Sequence, residues 1–235
     1  MTAAGEGWTL RLLDDVLRQH EGVGDSWLHP AELSQLQRIA NRQIWRQSIG
    51  VRLAAKSLLL ATPMFRGKVP QDLAIVTPRR NGRSLPPRVE VDEAPQAVAI
   101  SLSHTTRYVA AAVACSSRKF IGIDIVENSA APDAWLVQWL SQAERALSAS
   151  ADGPSPSELW AAKEAAFKTL SPGTPFVPGA LQIARAKGGS LTWRHENAPA
   201  ERGDVTLHCG PQCVIALARR TTARVPSARR EVSLV

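Results

Sequence analysis

Phe120-Ile-Gly-Ile-Asp-Ile-Val126 is a short run of apolar, mostly β-branched residues, a pattern that predicts a buried strand. Asp124 is the one charged residue within this run. Because burying an unpaired carboxylate costs several kcal/mol, Asp124 requires a cation beside it. A salt bridge would meet this requirement, and so would a metal ion.

A second polar cluster lies in residues 157–170, where the spacing of apolar residues predicts a helix with Ser157 as its N-cap. At about 100° per residue, one face of this helix carries Trp160, Lys163, Glu164, Phe167 and Lys168. The two aromatic side chains predict packing on that face, so the charged groups are expected at the edge of a core. A Glu–Lys pair on a solvated helix is the alternative interpretation.

Segments of the first half of the chain resemble segments of the second half. Leu53-Ala-Ala-Lys56 resembles Trp160-Ala-Ala-Lys163, and residues 100–113 resemble residues 205–218 at almost the same offset. These similarities indicate a duplication in which each half is a helix followed by a hairpin. We therefore predict an α+β fold of two similar halves, residues 1–117 and 118–235, packed as a pseudodimer with the active site between them.

Apolar periodicity places the remaining elements. Helices are predicted within the first twenty residues and over residues 30–60 and 134–148, and strands over residues 97–102, 108–114 and 191–195 and in the late hairpin. Prolines and glycines between residues 63 and 87 predict short strands and turns. Residues 219–235 are rich in arginine without apolar periodicity, so we expect a flexible basic tail there.

Composition limits the class of protein. A chain of 235 residues with 44% hydrophobic and 21% charged residues is expected to be soluble and globular. No apolar stretch is long enough to span a bilayer, and the first twenty residues lack the pattern of an export signal, so we expect a cytoplasmic monomer with three free cysteines. The formal net charge of +7 favours an anionic partner.

The motifs of this chain resemble those of a known family. Gly122-Ile-Asp124 followed by Trp160-x-x-Lys-Glu-Ala-x-x-Lys168 resembles the signature of the phosphopantetheinyl transferase superfamily. Other segments resemble its Sfp-type, pseudodimeric branch, namely Trp45-Arg46-x-x-x-Gly50-x-Arg52-x-Ala-Ala-Lys56, Gly82-Arg83, Ser101-Leu-Ser-His104 and Trp139-Leu-Ser-x-x-Glu144. The resemblance implies an enzyme that moves the phosphopantetheine arm of coenzyme A to a serine of an acyl or peptidyl carrier protein and releases 3′,5′-ADP.

The same resemblance implies roles for individual residues. Asp124 and Glu164 would bind Mg²⁺, with Mn²⁺ as a substitute, and Glu164 would also accept the proton of the serine. The remaining residues would contact phosphates of coenzyme A: Lys163, Lys168, Ser103, His104, Arg46 and Arg83, with Arg52 and Lys56 as further candidates. The carrier could belong to fatty acid, polyketide or nonribosomal peptide biosynthesis.

One position departs from the pattern of this branch. A second acidic residue often follows the motif Asp by two positions, whereas Val126 stands there and Glu127 comes one residue later. Since side chains alternate along a strand, Glu127 should point away from Asp124. We therefore predict a site of two carboxylates that water completes.

Two other functions remain as alternatives. A homologue could bind coenzyme A without transferring anything from it. A basic protein could instead bind nucleic acid, but such modules usually carry a clustered basic stripe or an aromatic stacking platform. No such platform is evident in this sequence, and no nucleic acid or membrane partner is expected.

Overall fold

The structure is a computed structural model that describes residues 6–22, 24–80, 83–116, 120–128, 133–170 and 174–221. Its α-helices are α1 (Leu13–Gln19), α2 (Gly24–Trp27), α3 (Pro30–Leu36), α4 (Arg42–Leu60), α5 (Asp133–Val137), α6 (Gln142–Ser148) and α7 (Pro156–Phe167). The first eight strands are β1 (Glu6–Leu12), β2 (Ala74–Val76), β3 (Arg79–Arg80), β4 (Arg83–Ser84), β5 (Arg88–Val91), β6 (Ala94–Pro95), β7 (Ala99–His104) and β8 (Tyr108–Ala114). The remaining strands are β9 (Phe120–Glu127), β10 (Leu181–Arg185), β11 (Leu191–His195), β12 (Ala198–Cys209) and β13 (Cys213–Thr221).

These elements form an α+β fold, as the sequence predicted. One sheet has the strand order β1-β8-β7, and a larger one has the order β10-β11-β12-β13-β9. Two small sheets, β2-β5-β6 and β3-β4, lie in the segment between α4 and β7. All of the paired strands are antiparallel. No helix within the described ranges is both long and apolar enough to cross a membrane.

Strand β9 joins the two large sheets because its two faces pack against different layers. Ile121, Ile123 and Ile125 lie in one apolar cluster with residues of β8 and β13. The opposite face carries Gly122 and Asp124 and lies under α7, which contributes to another apolar cluster. The alternation of side chains along β9 thus points its only buried carboxylate at the helix.

Gly122 allows α7 to approach β9 closely. A Cβ atom at this position would lie 1.9 Å from the carbonyl oxygen of Ala165 in α7, a distance that no side chain can occupy. Only glycine permits this contact without moving the helix. The glycine of the Gly-Ile-Asp motif therefore sets how far the helix stands from Asp124.

A buried ion pair fixes the rotation of α7 about its own axis. Lys163 is fully buried, and its Nζ lies 2.9 Å from Oε2 of Glu144. The ammonium also donates to the carbonyl oxygens of Pro178 and Leu181. Burial lowers the pKa of Lys163, while the nearby Glu144 carboxylate opposes that change. Removing one partner of such a pair typically costs about 3–5 kcal/mol, because the other charge is left buried alone.

The first half contains the same arrangement around α4. Lys56 is fully buried with its Nζ 2.5 Å from Oε2 of Glu32, and it donates to the carbonyl oxygens of Trp27 and Pro70. In both halves the glutamate also accepts from the backbone N–H at its own helix N-cap and from the N–H of an isoleucine in a nearby strand. The similarity read from the sequence thus extends to a shared set of buried contacts.

The predicted helices differ from the observed ones at their ends. The helix expected over residues 30–60 is two helices, because residues 37–41 form a break before Asn41 caps α4. The helix expected over residues 134–148 also breaks, and Ser141 caps α6. Helix α7 begins earlier than predicted, with Ser155 rather than Ser157 as its N-cap. Polar N-caps thus interrupt apolar patterns that alone indicated longer helices.

Both chain ends also differ from expectation. Leu10 belongs to β1, and the helix α1 begins only at Leu13. Arg219 and Arg220 were assigned to the basic tail, but they lie in β13 and form ion pairs with Glu6 and Glu201. Residues 222–235 of the predicted tail lie outside the described residues.

Cys115, Cys209 and Cys213 are free thiols, as expected.

Candidate active site

Asp124 and Lys168 form the centre of the site. Lys168, the C-cap residue of α7, places its Nζ 2.7 Å from Oδ1 of Asp124 and 2.9 Å from the carbonyl oxygen of Ile123. The hydroxyl of Ser103 in β7 donates to the same carboxylate oxygen at 2.8 Å. The buried carboxylate therefore has a cation and a hydrogen-bond donor beside it, as its burial requires.

Glu164 lies on the same helix, one position after the buried Lys163. Because α7 turns by about 100° per residue, the rotation that buries Lys163 leaves Glu164 partly exposed on the side of Asp124. Partial burial and then the charge of Asp124 raise the pKa of Glu164 to about 7, and Lys168 opposes this rise. Two carboxylates so placed carry more negative charge than their surroundings neutralise, and a bound cation would relieve this imbalance.

A cleft of about 980 Å³ opens beside Lys168. Its first wall comes from the first half of the chain and includes Arg38, Arg52, Arg79 and His104. Its second wall comes from the second half and includes Lys168 and the aromatic rings of Phe167 and Phe176. Cations thus line both sides of a space that is large enough for a nucleotide-sized ligand.

Two of the phosphate contacts predicted in the first half, His104 and Arg52, line this cleft. Burial lowers the pKa of His104 and the charge of Lys168 adds to this, against the opposing effect of Asp124. Arg52 is 7% exposed and donates to the backbone carbonyls of Ser48 and Ile75. Its guanidinium is therefore held in a fixed position, with Glu32 3.9 Å away.

Several predicted phosphate contacts have other positions in the structure. Lys163 and Lys56 are fully buried in their ion pairs, so neither reaches a ligand, and their assignment to the coenzyme site was wrong. Arg46 lies outside the cleft and forms an exposed ion pair with Asp14. Ser103 is buried and bonded to Asp124, so it holds the carboxylate rather than a phosphate. The side chain of Arg83 lies outside the described residues.

Two arginines of the cleft were missed by the sequence analysis. Arg38 follows α3 and Arg79 begins β3, and both have exposed side chains that line the cleft. Neither forms an ion pair or a side-chain hydrogen bond with any residue that the structure describes. Arg79 precedes the Gly82-Arg83 motif by only a few positions, and this proximity was the signal that could have identified it.

The position after the motif Asp has an apolar role. Val126 shares the face of Asp124 and packs against the apolar cluster under α7. Strand β9 continues through Glu127, whose Oε1 accepts a hydrogen bond from the backbone N–H of Arg107 at 3.1 Å. Glu127 therefore has a partner away from the pair formed by Asp124 and Glu164.

The donor set suits a hard divalent cation. Two carboxylates from adjacent elements can serve Mg²⁺, which usually keeps several waters and takes the remaining ligands from phosphate oxygens. Among the residues that the structure describes, no group of three or more acidic, histidine or cysteine side chains is placed to hold a metal ion by itself. Asp124 and Glu164 thus fit a metal that is shared with a phosphate ligand better than a metal held by protein alone.

The first half lacks the chemical groups of this site. Asp124 pairs with Ala216 in β13, and at the matching offset Thr9 pairs with Ala111 in β8. Likewise, Ser57 follows the buried Lys56 where Glu164 follows Lys163. At both of these positions the second half therefore carries a carboxylate, and the first half carries a hydroxyl. The two carboxylates of the site are thus confined to the second half.

The fold and this geometry define an α+β protein with a cation site beside a cleft suited to an anionic ligand. Residues 120–213, which include β9 and α7, match the model of the 4'-phosphopantetheinyl transferase superfamily. The match covers the Gly-Ile-Asp and Lys-Glu motifs, so the resemblance predicted from the sequence is confirmed for this part of the chain.

Solved structures similar to this chain include a holo-(acyl-carrier-protein) synthase from Bacillus anthracis str. Ames in complex with CoA (3',5'-ADP). The sequence identity is 18% and the TM-score is 0.38, over 48% of this chain and 96% of that one. No curated protein matches the chain.

The raised pKa of Glu164 predicts how stability depends on pH. Because its pKa of about 7 exceeds the ordinary value of 4.5, the folded metal-free protein binds more protons than the unfolded chain between these values. Stability should therefore fall as pH rises through this window. Glu164→Gln removes the free-energy cost of an ionised carboxylate at this position. The variant should therefore be more stable than the unchanged protein at pH 8, by roughly 1–2 kcal/mol, but not at pH 4.

Urea unfolding in the presence of EDTA, followed by circular dichroism at both pH values, measures this difference. The exposed Glu21→Gln is the matched control and should leave the pH dependence unchanged. A Glu164→Gln variant that is less stable than the unchanged protein at pH 8 would show that the carboxylate is not destabilised in the folded state.

Proposed function

We propose that this protein is a 4'-phosphopantetheinyl transferase that moves the phosphopantetheine arm of coenzyme A to a serine of an acyl or peptidyl carrier protein. The observation that carries the proposal is the meeting of Asp124, Glu164 and Lys168 at the edge of a cleft lined by cations. The superfamily match of residues 120–213 supports the same reaction, since this segment supplies all three residues.

Phosphoryl transfer of this kind depends on positioning the phosphates and neutralising their charge. Asp124 and Glu164 would hold a magnesium ion, with manganese as a substitute. When bound, the ion supplies charge neutralisation for the diphosphate of coenzyme A. Lys168 lines the cleft beside them, so its ammonium would offset charge on the departing 3′,5′-ADP. Water would occupy the position that Val126 leaves without a ligand.

Ser103 would orient Asp124 for metal binding. The Ser103 hydroxyl donates to the carboxylate from β7, so the first half of the chain helps to orient a group of the second. Ser103 thus acts as a positioning residue. Since β7 also carries His104 into the cleft, a single strand would align the carboxylate with the bound coenzyme.

Glu164 would accept the proton of the attacking serine. In the metal-free protein the pKa of Glu164 is about 7, and a bound divalent cation would lower it, so the carboxylate would be ionised and able to accept a proton. Lys168 lies on the same helix and remains a cation partner for Asp124. The serine proton would therefore have an acceptor in α7, four residues before Lys168 of the cleft wall.

Charge in the first-half wall would select coenzyme A over smaller thiols. Arg38, Arg79 and Arg52 line this wall, and Arg38 and Arg79 have side chains free of described partners. We assign these two arginines to the 3′-phosphate, because Arg46 lies outside the cleft. Arg83 remains a candidate phosphate contact from the resemblance. We further infer that residues 1–117 and 118–235 are two domains that form a pseudodimer and bind the coenzyme between them.

The transfer itself can be measured directly. Incubating the protein with coenzyme A, Mg²⁺ and a panel of carriers from fatty acid, polyketide and nonribosomal peptide biosynthesis should add phosphopantetheine to a carrier, detected by mass spectrometry. Asp124→Asn and Glu164→Gln should each lower the rate about a hundredfold or more, because each removes a carboxylate from the metal site.

Glu127→Gln is the control for these variants, because Glu127 is a nearby carboxylate with another partner. It should keep most of the activity. Binding of coenzyme A without modification of any carrier would favour the non-transferring homologue over an enzyme. Transfer that survives in either carboxylate variant would show that the site has been assigned to the wrong residues.

Dephospho-coenzyme A, which lacks the 3′-phosphate, tests the two arginines. Arg38→Ala and Arg79→Ala should each weaken binding of coenzyme A about tenfold or more, since a charge-assisted contact contributes about 1.5–3 kcal/mol. Both substitutions should change the binding of dephospho-coenzyme A much less. Calorimetric titration measures both ligands, and Arg46→Ala is the matched control because its side chain lies outside the cleft. Equal losses for the two ligands would place the 3′-phosphate elsewhere.

A further inference from the structure

Five aromatic side chains form a continuous surface beside the cleft. This aromatic surface consists of Trp135, Trp139, Trp160, Phe167 and Phe176. The centroids of neighbouring rings are 4.8–6.4 Å apart, which is the range of packed aromatic pairs. Its inner end, Phe167 and Phe176, lines the cleft. Its outer end is open to solvent, with Trp135 50% and Trp139 40% exposed.

The aromatic surface is attached to the catalytic helix. Trp160 lies one turn before Glu164 in α7, and Phe167 lies just before Lys168. Residues spaced three or four apart share a helix face, so the rings of Trp160 and Phe167 flank Glu164. Any molecule that rests on these rings therefore lies beside the group proposed to accept the serine proton.

Packing within the protein does not account for this surface. The position of Trp160 in α7 corresponds to Leu53 in α4, which is 1% exposed beneath Leu28, Leu36 and the helix α1. In the second half, two half-exposed tryptophans take the place of such a cover. An exposed group of large apolar rings is costly to maintain in water and usually marks a surface for a partner.

The charges near the aromatic surface favour an acidic partner. Arg145 is exposed in α6, the helix that follows Trp139, and its side chain has no partner among the described residues. The chain as a whole carries a formal net charge of +7. The apolar rings thus lie on a basic protein, and the helix next to Trp139 carries an exposed arginine.

We propose that the aromatic surface is the docking site for the carrier protein, which would place an apolar patch bordered by acidic side chains on Trp135 and Trp139. This inference rests on the proposed function, because the carrier's serine must reach the cleft beside Glu164 for transfer to occur. The aromatic surface begins at that point and runs outward. A carrier resting on it has its serine at the mouth of the cleft, while coenzyme A occupies the cationic interior.

The test separates carrier docking from coenzyme binding. The double variant Trp135→Ala, Trp139→Ala should raise the KM for the carrier about tenfold or more, because tryptophans at the centre of an interface often dominate its affinity. The kcat at saturating carrier should stay within twofold, and so should the dissociation constant for coenzyme A. Calorimetric titration with a carrier whose serine is replaced by alanine should show the same loss of affinity without any chemistry.

Trp135→Glu provides a second variant that is expected to fold, because half of this side chain is in solvent. It should raise the carrier KM further by placing a carboxylate against acidic groups. Met64→Glu is the matched control, since Met64 is 45% exposed and lies outside the aromatic surface. Circular dichroism and thermal unfolding confirm that each variant is folded.

Four results would overturn the inference. If the unchanged protein modifies a carrier but both tryptophan variants keep its KM, the docking site lies elsewhere and the proposed function stands. If the tryptophan variants bind coenzyme A more weakly but bind 3′,5′-ADP as the unchanged protein does, the rings contact the pantetheine arm instead. A dimer in sedimentation experiments that Trp135→Glu dissociates would assign them to a second copy of the chain. If the unchanged protein modifies no carrier, the proposed function fails and the docking inference fails with it.

Discussion

The buried ion pair between Lys163 and Glu144 determines the geometry of the whole site. With its ammonium bound by a carboxylate and two backbone carbonyls, Lys163 cannot turn towards solvent, so α7 has one permitted rotation. That rotation directs the next residue, Glu164, towards Asp124 and carries Lys168 to the same carboxylate. Gly122 then sets the distance between helix and strand. The ion pair itself does not line the cleft, yet it positions the groups that would bind the ligand.

The two halves keep this structural device but differ in their chemistry. Glu32 binds Lys56 as Glu144 binds Lys163, and each glutamate also satisfies a helix N-cap and a strand N–H. Losing such a buried partner would be costly, which explains why both pairs are present. Surface groups are under no such restriction. The first half could therefore supply Arg38, Arg79 and His104 to the cleft, while the second supplies the carboxylates.

Much of the site could be predicted from sequence because a charged residue in an apolar strand must be compensated. Asp124 and the helix that carries Glu164 and Lys168 were identified in this way, together with the motif spacing. The direction of each side chain was not predictable, since Lys163 and Lys168 both fall on the margins of one helical face and only tertiary packing buries the first. Arg38 carries no local signal and Arg79 has only its proximity to the Gly82-Arg83 motif, because tertiary packing alone brings both side chains to the cleft.

In the proposed enzyme, β9 and α7 bring Asp124 and Glu164 together to bind one divalent cation next to the coenzyme. Electron paramagnetic resonance of Mn²⁺, titrated into the protein with coenzyme A present, tests it without depending on turnover. We expect one bound ion per chain, with affinity at least about tenfold weaker in both Asp124→Asn and Glu164→Gln, and unchanged in Glu127→Gln. Binding that is insensitive to both substitutions would show that these two carboxylates do not hold the ion.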